Sequence, residues 1–151
     1  MPTTVTGLDG IKALAGQDLG FSDWMEIPQS RIDLFADATD DHQWIHTDPA
    51  RAADGPYGGT IAHGYLTLAL LIPLWSQILE IKGIGMSVNY GLNRVRFPAP
   101  VPSGSRIRAG ATLGEVTEVP GGVQTLVDLV VHCENADKPV CVAQAVYRYY
   151  E

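Results

Sequence analysis

The segment from Thr60 to Glu80, TIAHGYLTLALLIPLWSQILE, constrains this chain more than any other. It is long enough to be mistaken for a transmembrane helix. His63, Gly64, Thr67, Pro73, Ser76 and Gln77 interrupt it, and it lacks the clustered basic flanks of a membrane span. A helix that is apolar on nearly all sides can equally be wrapped by protein. No membrane association is expected, so the rest of the chain must supply the wrapper.

Residues 7–16 predict a short, weak helix and Phe21 to Ile27 a strand. Ile32, Phe35 and Ala36 recur at helical spacing, with Ser30 as the expected N-cap. TDDHQWIHTDP follows as a loop, Pro49 opens a helical turn, and DGPYGG is a glycine-rich loop. Beyond the apolar segment, alternation takes over. Ile84, Met86, Val88, Tyr90 and Leu92 share a parity, and Val95 and Phe97 break it, which predicts a bulge near Asn93. Ile107, Ala109, Ala111 and Leu113 share another. GVQTLVDLVVHCE and PVCVAQAVYRYY read as two strands joined by a tight turn at NADK. One long buried helix and about five antiparallel strands give an α+β domain in which a curled sheet wraps the helix. The whole chain, 1–151, is expected to be that one domain. The open sheet edges predict a homodimer.

Apolar residues make up 46% of the chain and the net charge is −7, which disfavours nucleic acid as a partner. Residues 1–54 hold ten acids and three bases, whereas residues 81–114 hold five bases (Lys82, Arg94, Arg96, Arg106, Arg108) and no acid. That asymmetry suits an anionic ligand on one side, or simply a solvated face. No secretory leader is recognisable at the start. Cys133 and Cys141 lack metal-site or redox spacing and predict reduced, buried thiols in a cytoplasmic protein.

The polar stretch TDDHQWIH, Thr39 to His46, carries the chemistry. Asp41 and His46 can converge within a loop, where a carboxylate and a neutral imidazole together grip one water and move its protons. The alternative is a capped loop with a structural hydrogen bond to the histidine. His42, His46, Asp41 and Asp48 form a weaker metal cluster, and no metal is expected. Downstream, His63 and Gly64 start the apolar segment. The free N–H groups at such a helix start can polarise a carbonyl, and glycine permits close approach.

FADATDDHQWIHTDPARAADGPYGGTIAHG resembles the signature of the R-specific enoyl-CoA hydratases, the MaoC-like dehydratases of the hot-dog fold. The family pattern is a small residue or threonine, then D-x-N-P-x-H-x-D, followed further along by an apolar pair and H-G. NRVRFPAPVPSGSRI also resembles the segment after the family's central helix. Gln43 stands where asparagine is usual and Trp44 where proline is usual, a variant similar to a subgroup related to nodulation protein N.

The resemblance implies hydration of a trans-2-enoyl thioester, or the reverse dehydration of the (3R)-hydroxyacyl thioester, in fatty acid metabolism. Asp41 would take a proton from water. His46 would orient that water and help protonate C2. Gly64 would give its N–H to the thioester carbonyl, with Gln43 a further substrate contact. No cofactor is implied; coenzyme A or acyl-carrier protein arrives as part of the substrate. Arg94 and Arg96, sharing a strand face, would meet the coenzyme A phosphates, or else solvent or a dimer partner. Two other functions stay open. A hot-dog thioesterase would be favoured by a carboxylate on the central helix, and Ile61 to Leu79 holds none. A non-catalytic acyl-thioester binding protein would need no intact Asp–His pair.

Overall fold

The computed structural model describes residues 1–151. The chain runs β1 (Thr3–Thr6), α1 (Gly7–Lys12), β2 (Asp18–Phe21), β3 (Met25–Glu26), α2 (Gln29–Thr39), α3 (Trp44–Thr47) and α4 (Pro49–Ala53). It continues through α5 (Gly64–Ala69), α6 (Leu71–Ile78), β4 (Leu79–Lys82), β5 (Met86–Arg96), β6 (Arg106–Val119), β7 (Gly122–Cys133) and β8 (Cys141–Tyr150).

The wrapper is a six-stranded antiparallel sheet in the order β2-β6-β7-β8-β5, with β3 also pairing β6. Its concave face is built by alternation. Ile107, Ala109, Ala111 and Leu113 of β6 are all buried, as are Val127, Leu129 and Val131 of β7. Leu129 lies between Ala111 and Ala143 in register, and Val127 between Leu113 and Ala145. Small residues beside large ones let α5 and α6 settle into the curl. Cutting one such contact back, as in Leu129→Ala, would cost about 2–5 kcal/mol.

The apolar segment is not one continuous helix. α5 and α6 meet at Leu70, and α6 ends at Ile78, where the chain turns extended. Pro73 explains the break: it cannot donate to the carbonyl of Ala69 four residues back, and its ring crowds that carbonyl. Nor is the helix wrapped on all sides. Leu66, Thr67, Leu71, Leu74, Trp75 and Ile78 are buried, whereas Tyr65 and Ile72 face outward. The last residues of the segment form β4, which pairs in parallel with β1, a pairing absent from the sequence expectation.

Three smaller expectations also change. Ser30 lies inside α2; Pro28 takes the N-cap position, where a missing N–H costs nothing. The expected strand from Phe21 to Ile27 splits into β2 and β3. In β5 the expected shared face is broken twice. Ser87 and Asn89 oppose the buried Tyr149 and Tyr147, so Met86 and Val88 point outward. Register shifts at Tyr90 and at Asn93 then set Leu92 opposite Ala145 and Val95 opposite Ala143; Val95 packs against the core, whereas Leu92 stays exposed at the sheet edge. The Asn93 bulge was expected; the one at Tyr90 is hidden because Tyr90 keeps the parity of its neighbours. Cys133 and Cys141 are free and buried, and burial pushes the Cys141 thiol up to about 11.

Candidate active site

α2 delivers the polar stretch to the site. It ends on Asp40, whose left-handed backbone (φ 61°) stops the helix. A short aspartate tolerates that conformation better than most side chains. Asp41 therefore leaves the helix exposed, and α3 begins three residues later. Asp48 closes α3 and caps α4, accepting from the Arg51 N–H at 3.1 Å. Trp44 packs on this turn: the Arg51 guanidinium lies 4.4 Å above its ring, and Gly55 leaves room for the ring's edge. His42 bonds Asp37 at 2.9 Å on the surface, away from the cavity.

α3 carries His46, which is 7% exposed. Its Nδ1 donates to the Ile61 carbonyl at 2.7 Å. A carbonyl only accepts, so the neutral ring keeps its lone pair on Nε2. The Ile61 N–H returns to the Ile45 carbonyl at 3.0 Å, so α3 is clasped on both sides of one residue. Burial is the main influence holding His46 below its ordinary value of 6.5, ahead of the hydrogen bond to Ile61 that opposes it; His63 adds to the lowering. This histidine is a neutral acceptor near pH 7.

Gln29, at the start of α2, is a positioning residue the sequence did not reveal. Its Nε2 donates to the His46 carbonyl at 2.7 Å, and its Oε1 accepts from the Thr60 hydroxyl at 2.6 Å. One amide thus ties the histidine segment to the segment that leads into α5. No spacing rule links position 29 to 46 and 60, so only the fold exposes it.

His46 and Gly64 line one cavity of about 400 Å³, with Tyr57, Thr67, Phe97 and Val140 among its other walls. Gly64 is the first residue of α5, and its N–H has no main-chain acceptor. The ring of Phe97 covers it so closely that a Cβ would sit 3.1 Å from the ring. Asp41 stands at the edge of this site: a carboxylate oxygen and one nitrogen each of His46 and His63 all lie within 4.8 Å of one another. That trio could hold a metal only if its lone pairs converged about 2 Å from each donor. The two imidazoles instead stack at 4.0 Å, tilted by 24°, so their lone pairs lie in nearly parallel planes. The arrangement suits proton transfer better than metal binding.

The other expected contacts stand apart. Gln43 is exposed, and its carbonyl accepts from the His46 N–H, while its side chain lies outside the cavity lining. Arg94 and Arg96 share the outer face of β5, as expected. Arg94 borders a separate hollow with Asp128 and Gln144, whereas Arg96 immediately precedes the cavity wall at Phe97.

The sequence profile described as MaoC like domain matches residues 11–133. A 3-hydroxyacyl-thioester dehydratase Z of Mycobacterium tuberculosis is 52% identical over 147 residues, 97% of each chain. Nodulation protein N of Rhizobium leguminosarum bv. viciae is 46% identical over 140 residues, 90% of this chain and 86% of that protein. Among solved structures, the unliganded R-hydratase PhaJ1 of Pseudomonas aeruginosa superposes with a TM-score of 0.71 at 26% identity, covering 88% of this chain and 79% of that one. The sheet curled around a central helix is the hot-dog architecture expected from the sequence.

Proposed function

We infer the activity from one premise: this chain belongs to the MaoC-like dehydratase family. It is a hydro-lyase that adds water to trans-2-enoyl thioesters, giving (3R)-hydroxyacyl thioesters, and runs the reverse dehydration in fatty acid metabolism. The observation that carries this reading is the convergence of a neutral histidine acceptor and an unpartnered helix-start N–H on one cavity, with a carboxylate beside them.

The thioester carbonyl accepts the Gly64 N–H, which stabilises the enolate-like charge that develops as the double bond reacts. A water held between Asp41 and His46 Nε2 bonds to C3. One of its protons passes to the pair and the pair returns a proton to C2, so one H₂O is added and the enzyme is regenerated. Dehydration follows the same path backwards. The chain's own groups suffice for this chemistry, without cofactor or metal. The carrier is coenzyme A or acyl-carrier protein, with Gln43, Arg94 and Arg96 as outer contacts. The working unit is a homodimer of single-domain chains in the cytoplasm. No helix is long and apolar enough to cross a membrane.

The deciding assay follows the enoyl-thioester absorbance with crotonyl- to dodecenoyl-CoA beside a free-thiol reagent. Loss of absorbance without thiol release is expected. Thiol release without prior hydration would assign the chain to the thioesterases, and binding with neither signal would make it a carrier.

A further inference from the structure

We infer that His63 is a positioning residue whose N–H to the Asp41 main chain fixes the carboxylate against His46. The inference rests on Asp41 and His46 being the reacting pair. His63 is only 2% exposed, although it begins a helix. Its Nε2 donates to the main-chain carbonyl of Asp41 at 3.0 Å. That carbonyl belongs to the residue just after the Asp40 cap of α2, where the chain has left the helix and no ladder holds it. One face of the imidazole stacks on His46, and Phe35 of α2 meets the ring at 4.8 Å, tilted by 54°. The ring is therefore clamped between the element that supplies Asp41 and the residue that Asp41 must meet.

The remaining nitrogen gives an independent sign. Nδ1 of His63 is buried with no hydrogen-bond partner. A buried acceptor left unmade is a cost to the fold. A residue chosen for stability alone would avoid it; a residue chosen to reach Asp41 from beneath His46 cannot. Because Gly64 is next in the chain, the same two residues place both halves of the site. One N–H sets the carboxylate and the next is free for the thioester oxygen. Small displacements matter here, since an error of about 1 Å in such a constellation can cost 10²-fold in rate.

Two variants separate the ring from its N–H. His63→Gln keeps a donor where Nε2 now lies and loses the stack. His63→Phe keeps the stack and loses the donor. Turnover is measured per folded molecule, beside Asp41→Asn. His63→Phe is expected to lose about 10–100-fold in kcat with KM changed by less than about threefold, and His63→Gln to recover most of that loss. Equal losses in both variants, or wild-type kcat in His63→Phe, would overturn the inference. Should His63→Phe not fold, His63→Ala titrated with imidazole replaces it: restored kcat supports the role and no restoration rejects it. A dead Asp41→Asn beside a fully active His63→Phe removes this inference alone. Wild-type turnover in Asp41→Asn removes the reacting pair, and the inference with it.

Discussion

At the scale of single residues, the proposed site gives two titratable groups different surroundings. His46 is buried and Asp41 is exposed, so the imidazole stays neutral while the carboxylate remains in water. Asp41→Asn and His46→Gln should both fold and lose about 10²–10⁴-fold in kcat, the range of general acid–base catalysis; near-normal turnover in either would end the mechanism. His42→Ala should be almost silent, because His42 is an exposed partner of Asp37. The pH profile follows from burial. His46 must be unprotonated to accept, and its value lies below 6.5, so the acid limb of kcat/KM should fall below pH 6.5; a limb above 7 would contradict the buried neutral ring. Stability has the same sign. As pH drops below 6.5 the unfolded chain takes up the proton first, and the native state loses stability until the lower folded value is passed. That Asp41 and His46 meet was foreseeable because a loop lets a carboxylate and an imidazole five residues apart converge, and the resemblance to the family pattern singled out these two. Gln29 was not, because its partners are set only by how α2 crosses the segment before α5.

At the scale of elements, alternation exposed β6, β7 and β8 almost completely, since each has one face in the core. β5 was misread because it lies at the sheet edge and carries two bulges, each of which reverses the facing pattern. The central helix was overestimated because apolar content alone cannot show where Pro73 interrupts it or where it becomes β4. The join between β5 and the helix forms part of the cavity wall. Gly64 begins α5, and Phe97 follows β5 directly and lies over it. In Gly64→Ala the new methyl would press on the Phe97 ring at 3.1 Å. That ring is 42% exposed and can yield, so the protein should fold, with the ring displaced across the cavity. A fall of about tenfold or more in kcat/KM is expected, as reacting groups lose alignment. Adding Phe97→Ala should recover part of it, and the two changes should be clearly non-additive. An additive pair would mean that the methyl acts elsewhere.

For the whole molecule, the proposed homodimer rests on the apolar surface at one edge of the chain. Met86, Tyr90 and Leu92 are exposed on β5, and Tyr65 and Ile72 on the open side of the helix. An unpaired edge strand beside an uncovered helix face offers a surface on which a second copy would pack. Light scattering should give twice 16.3 kDa, and Met86→Lys with Leu92→Lys should shift the mass toward the monomer. A wild-type monomer with full activity would refute the assembly. Charge is distributed on the same scale. The molecule is acidic, with a net charge of −7, yet it must admit a carrier bearing phosphates. Of its five central bases, Lys82 ends β4 outside the cavity lining, Arg106 is held by Glu134 at 2.6 Å, and Arg108 lies over the rings of Phe21 and Trp24. Arg94 borders a hollow with Asp128. Arg96 is exposed, bonds only its neighbour's carbonyl at 2.7 Å, and adjoins the cavity wall at Phe97. It is the base best placed to steer an anion toward the site. Arg96→Ala should therefore raise KM for a coenzyme A thioester more than Arg94→Ala does, with kcat nearly unchanged. The difference should shrink as salt rises, since exposed charges are screened over about 10 Å at 0.1 M. A short N-acetylcysteamine thioester carries no phosphates and should be indifferent to both changes. If it suffers as much as the coenzyme A substrate, the arginines hold the sheet edge or the partner rather than the ligand.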